Sequence, residues 1–125
     1  MTASGLKKIR LNLARTKEHP MGSAHHGYEF LAPLDAVGRI DPERWRKLRD
    51  KCRVRRFWGG EVEDVGHLVH RPGGSWAFRY DLAGDEDDEA GYRFGAHLFG
   101  VGEYVSIRDE DGVLLPFVVV TVVDA

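Results

Sequence analysis

Apolar and polar residues alternate along several segments of this chain, and that pattern confines those segments to half-buried β-strands. Ile9, Leu11 and Leu13 alternate with Lys8, Arg10 and Asn12, and Tyr28, Phe30, Ala32 and Leu34 repeat the pattern. Trp76, Phe78, Tyr80 and Leu82 alternate with Ala77, Arg79 and Asp81. Successive strand side chains point to opposite faces, so a period of two marks one face on a core and one on solvent. Further strands are expected over Val54 to Trp58, Val65 to Arg71, Tyr92 to Phe99, Glu103 to Arg108 and Leu115 to Val123. The last is apolar on both faces from Phe117 onward, which predicts a central strand covered on both sides.

Turn chemistry separates these runs. Gly59-Gly60 stops the strand before it, while Pro72-Gly73-Gly74 and Asp109-Glu110-Asp111-Gly112 read as hairpin turns, because Gly and Asp-Gly tolerate the backbone such turns need. His19 to Gly27 reads as a loop by its Pro, Gly and Ser content, and Gly84 to Gly91 as an acidic one. One helix is predicted from Pro42 to about Lys51. Asp41 suits the N-cap, Pro42 the first helical position, and Trp45, Leu48 and Cys52 share one narrow apolar face. The fold class expected is mainly β: a small antiparallel barrel or sandwich of about seven strands with one short α-helix, in a single β-rich domain over 1–125.

A chain of 125 residues, 42% hydrophobic and with aromatics spread along it, can bury a core without a disulfide or a metal. Cys52 is its lone cysteine, so neither a disulfide framework nor a disulfide-linked partner is expected, and the reading is a cytoplasmic one. The first residues interleave charges with apolar side chains and do not form a secretory signal. The most apolar stretch, Val113 to Val123, is about half the ~20 residues a membrane helix needs, so a soluble protein is expected.

The net charge of −2 conceals a strong asymmetry. Residues 1–60 hold 14 Lys/Arg against 6 Asp/Glu, and residues 61–125 hold 4 against 14. The basic half is densest between Arg44 and Arg56, with Phe57 and Trp58 following directly. A basic face is expected there, carried by Arg46, Lys47, Arg49, Arg53, Arg55, Arg56 and Trp58, with Lys7, Lys8 and Arg10 extending it if the first strand lies nearby. Cations beside aromatic rings suit phosphates and unpaired bases. An acidic protein surface, or the chain's own acidic loop, is the competing partner.

His25, His26, His67, His70 and His97, with Asp81, Asp85, Asp87 and Glu89, supply metal-ligand types. Neither H-E-x-x-H nor paired cysteines occur, and His67 and His70 are an odd offset apart and so belong on opposite strand faces. No metal and no cofactor are therefore expected. The acidic loop fails the calcium-loop pattern, with Ala90 and Ala96 at the Gly and Glu positions. Cys52 reads as an inert core thiol, and Ser75 and Ser106 lack a nucleophile elbow. A small-molecule pocket at the barrel mouth would use His67, His70, Arg71 and Trp76, residues that serve equally as core and rim.

The succession RLNLAR, GSAHHGYEF, VRRFWGG, HLVHRPGGSWAFRYD, GDEDDE and GEYVSIRDEDG resembles a family of small uncharacterised bacterial proteins, over most of the chain. That family has no established activity, so the resemblance implies no catalytic residue, cofactor or ligand. The functional expectation is a non-enzymatic binding or interaction module working through its basic face, on nucleic acid or an acidic protein. The alternative is a small metal-binding protein or enzyme built on a His/carboxylate cluster around His67 and His70.

Overall fold

The computed structural model describes residues 5–80, 92–95, 98–108 and 112–125, with the backbone alone at 62, 63, 92 and 93. Eight strands follow in order: β1 (Lys7–Leu13), β2 (Ser23–Ala32), β3 (Arg53–Trp58), β4 (Glu61–His70), β5 (Trp76–Tyr80), β6 (Tyr92–Phe94), β7 (Tyr104–Arg108) and β8 (Leu114–Asp124). Each pairs antiparallel with the next, and β8 returns to β1, so the sheet closes into a barrel. The seam between β6 and β7 rests on one described pair, Arg93 opposite Arg108. Seven strands, from β7 round to β5, therefore make most of the wall, and the three-residue β6 completes it.

The alternation read in the sequence becomes the inside and outside of this wall. Ile9, Leu11, Tyr28, Phe30, Val54, Leu68, Phe78, Val105, Ile107, Phe117 and Val119 are all at most 2% exposed and fill the interior. Aromatic rings dominate its middle. Phe78 lies 5.1 Å from both Tyr28 and Phe30 and 5.0 Å from Phe94, and Phe99 meets Phe30 edge-on at 5.7 Å. A barrel of this strand number has an interior just wide enough for side chains to fill.

The helix α1 (Pro42–Leu48) and a 3-10 turn (Arg49–Lys51) close one end. Asp41 caps α1 by accepting from the Glu43 and Arg44 amides at 3.0 and 3.4 Å. The Trp45 indole donates to the Leu68 carbonyl at 3.0 Å, while Arg44 donates to the Gly5 and Leu34 carbonyls at 2.6 and 3.1 Å. These bonds fasten the helix across the end where β1 begins and β4 finishes. No helix among the described residues is long and apolar enough to cross a membrane.

Three expectations are corrected. Ser23 to Gly27 belong to β2 rather than to a loop, because the β1 ladder continues past Asn12 through a bulge that sets Leu13 opposite Ser23. The strand ending at Trp58 turns through Gly59 and Gly60 straight into Glu61, so β4 starts four residues before Val65. Both glycines have positive φ, 73° and 90°, the backbone of a tight hairpin turn. Finally, β8 is not covered on both faces. In a closed barrel one face of each strand meets the core and the other meets solvent, and outward-facing Val118 and Val120 are only half-buried. The acidic loop, His97 and Asp109 to Asp111 lie outside the described residues.

Candidate functional site: a basic groove on the outer wall

The outward positions of β1 to β4 build one surface. Strand parity turns Lys8 and Arg10 out from β1, Glu29 and Leu31 from β2, Arg53, Arg55 and Phe57 from β3, and Val65 and His67 from β4. Register then sets neighbours side by side: Arg10 opposite Glu29, Glu29 opposite Arg55, Arg55 opposite Val65, and Arg53 opposite His67. A groove of about 460 Å³ runs over this face, with Leu31 and Val65 in its floor and Lys8, Arg53, Arg55 and Glu29 around it. A second recess of about 220 Å³ adjoins it, sharing Glu29 and Arg55 and adding Arg10, His25 and Phe57.

Glu29 is the one acidic side chain among the described residues lining the two recesses, and it forms an ion pair with Arg55. Arg10 is held in place by the Ala24 carbonyl at 3.1 Å and the Asn12 side-chain oxygen at 3.2 Å, with its guanidinium 4.3 Å above the Phe57 ring. Arg53 meets the His67 imidazole at 3.0 Å. Four cations thus surround a single acid over an apolar floor, an arrangement that attracts anions and holds its guanidinium groups in fixed positions.

The residues expected on the basic face divide. Arg46, Lys47 and Arg49 are exposed on the helix and the 3-10 turn, and Arg53 and Arg55 belong to the groove. Arg56 and Trp58 depart from that face. Arg56 is only 9% exposed and turns into the barrel end, with its guanidinium 4.2 Å above the half-buried Trp58 ring, which in turn meets His26 at 4.5 Å. The reason is parity: residues 54, 56 and 58 share the inner face, and 53, 55 and 57 the outer. Residue type does not alternate across Arg53 to Trp58, so the sequence signal available there was parity counted from apolar Val54. Glu29, Leu31 and Val65 join the site only through strand register, and nothing local in the sequence marks them.

The proposed pocket and the His67/His70 cluster do not assemble as expected. His67 is on the outer wall with Arg53, whereas His70 packs against Trp76 at 4.3 Å. Arg71 is in the β4–β5 turn, its amide bonded to the Ser75 carbonyl at 2.8 Å. His70 and Trp76 instead share a recess of about 350 Å³ beneath the helix with Asp35 and Arg39. Among the described residues no three of His, Cys, Asp and Glu converge as a metal site would require. Asp81, Asp85, Asp87, Glu89 and His97 lie outside the described residues. Elsewhere, Ser23 Oγ and His26 Nδ1 are 2.8 Å apart, and the His19 ring lies 4.8 Å from His26, tilted by 48°.

Among the described residues, Cys52, Asp35 and Asp124 depart clearly from their ordinary values. Burial pushes the Cys52 thiol up to about 12, so it is not a nucleophile in the folded protein. Amide hydrogen bonding, first from Arg39, lowers Asp35 from its ordinary value. The Lys7 ammonium does the same for Asp124, by hydrogen bond first and by charge second.

Comparison with protein-family models, with curated proteins and with solved structures finds no match. The reading below therefore rests on geometry and charge alone.

Proposed function

We propose that the protein is a non-enzymatic binding module whose outer β1–β4 wall holds an acidic polypeptide segment. The observation that carries this reading is the pair of adjoining recesses in which Lys8, Arg10, Arg53 and Arg55 surround Glu29 over Leu31 and Val65. A segment alternating acidic and apolar side chains matches both the rim and the floor. Nucleic acid is the weaker match, because the aromatic rings near the basic stretch are engaged elsewhere. Phe57 lies under Arg10, Trp58 faces the barrel end, and Trp45 is 8% exposed beneath the helix. A single strand would find phosphate partners on this wall without a base-stacking platform. The same reading places the protein in the cytoplasm, where a lone buried cysteine remains reduced.

The test is fluorescence anisotropy with a labelled peptide alternating Asp/Glu with Leu, against a mixed-sequence single-stranded oligonucleotide. The peptide should bind more tightly, and its affinity should fall as salt rises. The double variant Lys8→Glu, Arg53→Glu should lose about tenfold or more in affinity, whereas Arg49→Glu, outside the groove, should lose little. Equal binding by the double variant would remove the groove from consideration. Tighter oligonucleotide binding would move the assignment to nucleic acid.

A further inference from the structure

The recess of about 350 Å³ at the helix-capped end is separate from the basic groove and shares no lining residue with it. Its volume lies in the range of small-molecule sites. Three connections converge on it: the turn from Asp35 to Asp41 leading into α1, the hairpin between β4 and β5, and the segment that carries Phe99. Backbone bonds shape two of these turns internally and tie the segment of Phe99 to the turn before α1. Asp35 donates to the Arg39 carbonyl at 2.8 Å, Phe99 to Gly38 at 2.8 Å, and Arg71 to Ser75 at 2.8 Å. Leu34 and Ile40 add an isolated antiparallel bridge. Such a site is shaped before any ligand arrives, which lowers the ordering cost of binding.

Its walls are mainly apolar and aromatic. Ile40, Pro42 and Phe99 line one part, and half-buried His70 lines another, backed by Trp76 at 4.3 Å with the ring planes 35° apart. Trp45 stands edge-on behind both rings, at 5.9 Å from His70 and 5.6 Å from Trp76. A planar ring is what this lining accommodates best, by offset or edge contact. The two charged residues of the recess differ in availability. Asp35 Oδ1 accepts the Val37 and Arg39 amides, both at 3.0 Å, so it is engaged in holding the turn. Arg39 is exposed, and its guanidinium makes no hydrogen bond among the described residues; it acts on Asp35 by charge alone, the last of the causes that lower that carboxyl.

We propose that this recess binds a small planar aromatic carboxylate, its ring against His70 and the Ile40–Pro42–Phe99 wall and its carboxylate on Arg39. The guanidinium supplies two parallel donors to a carboxylate, while the apolar wall supplies the burial. An aliphatic acid of similar size would keep the ion pair and lose the ring contacts. A neutral aromatic amide would keep the ring contacts and lose the ion pair.

The experiment is an amide and indole NMR titration of the labelled chain with 1-naphthoate, alongside 1-naphthamide and cyclohexanecarboxylate. The expected result is saturable shifts from naphthoate at Gly38 to Ile40, Gly74 and the Trp76 indole, with both comparison compounds clearly weaker. Arg39→Gln keeps the backbone donor of the turn and should fold normally, yet bind naphthoate about tenfold more weakly. Absence of shifts at these residues up to millimolar ligand overturns the proposal, as does undiminished binding by Arg39→Gln. Shifts confined to Lys8, Arg53 and Arg55 also overturn it, by assigning the anion to the outer groove.

Discussion

Cys52 shows how one residue's chemistry is set by its surroundings. The thiol is fully buried where the 3-10 turn meets β3, and burial alone pushes it up to about 12. It should be inert to a thiol reagent such as Ellman's in the native protein at pH 8 and react only at the rate of unfolding. Rapid stoichiometric labelling under native conditions would contradict this burial. Arg56 illustrates the same principle with the opposite polarity. Register sets it opposite Asp64, with its guanidinium over the Trp58 ring, so its charge works inside the barrel end rather than on the basic wall. Arg44, in the same basic run, ties the helix to two backbone carbonyls. Residues that look equivalent in a row of arginines thus divide between structure and surface.

At the scale of the element, the strands owe their close approach to glycine at two positions. Gly27 and Gly66 have ordinary strand backbones, but a Cβ at Gly27 would lie 1.9 Å from the Leu11 carbonyl oxygen. At Gly66 it would lie 2.0 Å from the Arg79 oxygen and 2.7 Å from the Tyr80 Cα. These neighbours are backbone, and they cannot give way without opening the ladder. Gly66→Ala should therefore destabilise the protein by roughly 3 kcal/mol, at the upper end for overpacking. Gly95→Ala, where nothing among the described residues lies within 4 Å, should be nearly neutral. Urea unfolding midpoints of the two variants compare them directly. The helix follows a different logic: a side-chain cap, a proline at its start and one tryptophan pointed into the barrel hold seven residues that would not be helical alone.

At the scale of the whole molecule, closure is the decisive event. The β1–β8 ladder joins residues more than a hundred positions apart, and Lys7 and Asp124 form an ion pair at its end. Lys7 lowers the pKa of Asp124, so the folded state binds the acid proton less readily than the unfolded chain. The pair's contribution is therefore present above the ordinary aspartate value of 3.8 and lost as pH falls through the lower folded value. Because both side chains are exposed, the effect should be small and sensitive to salt. The stability gap between the native chain and Asp124→Asn should be visible at neutral pH and vanish toward about pH 2. A gap that widened in acid would mean that the sign is wrong.

Much of this architecture was legible in the residues themselves. Period-two alternation marked β1, β5 and the second half of β2, Asp41-Pro42 opened the helix, and Pro72-Gly73-Gly74 placed the hairpin between β4 and β5. Those signals are local, since each depends on backbone preferences and on which face of a short segment is apolar. The run Arg53 to Trp58 does not alternate in residue type, so its expected basic face wrongly included Arg56 and Trp58, which strand parity turns inward. The composition of the basic groove was decided only by tertiary structure. Glu29, Leu31 and Val65 meet Lys8, Arg53 and Arg55 because register and barrel curvature align strands far apart in the chain. The same holds for the recess that joins Arg39 to His70 and Phe99. Alternation fixes which face a side chain occupies; only closure of the sheet fixes its neighbours, and a binding site is made of neighbours.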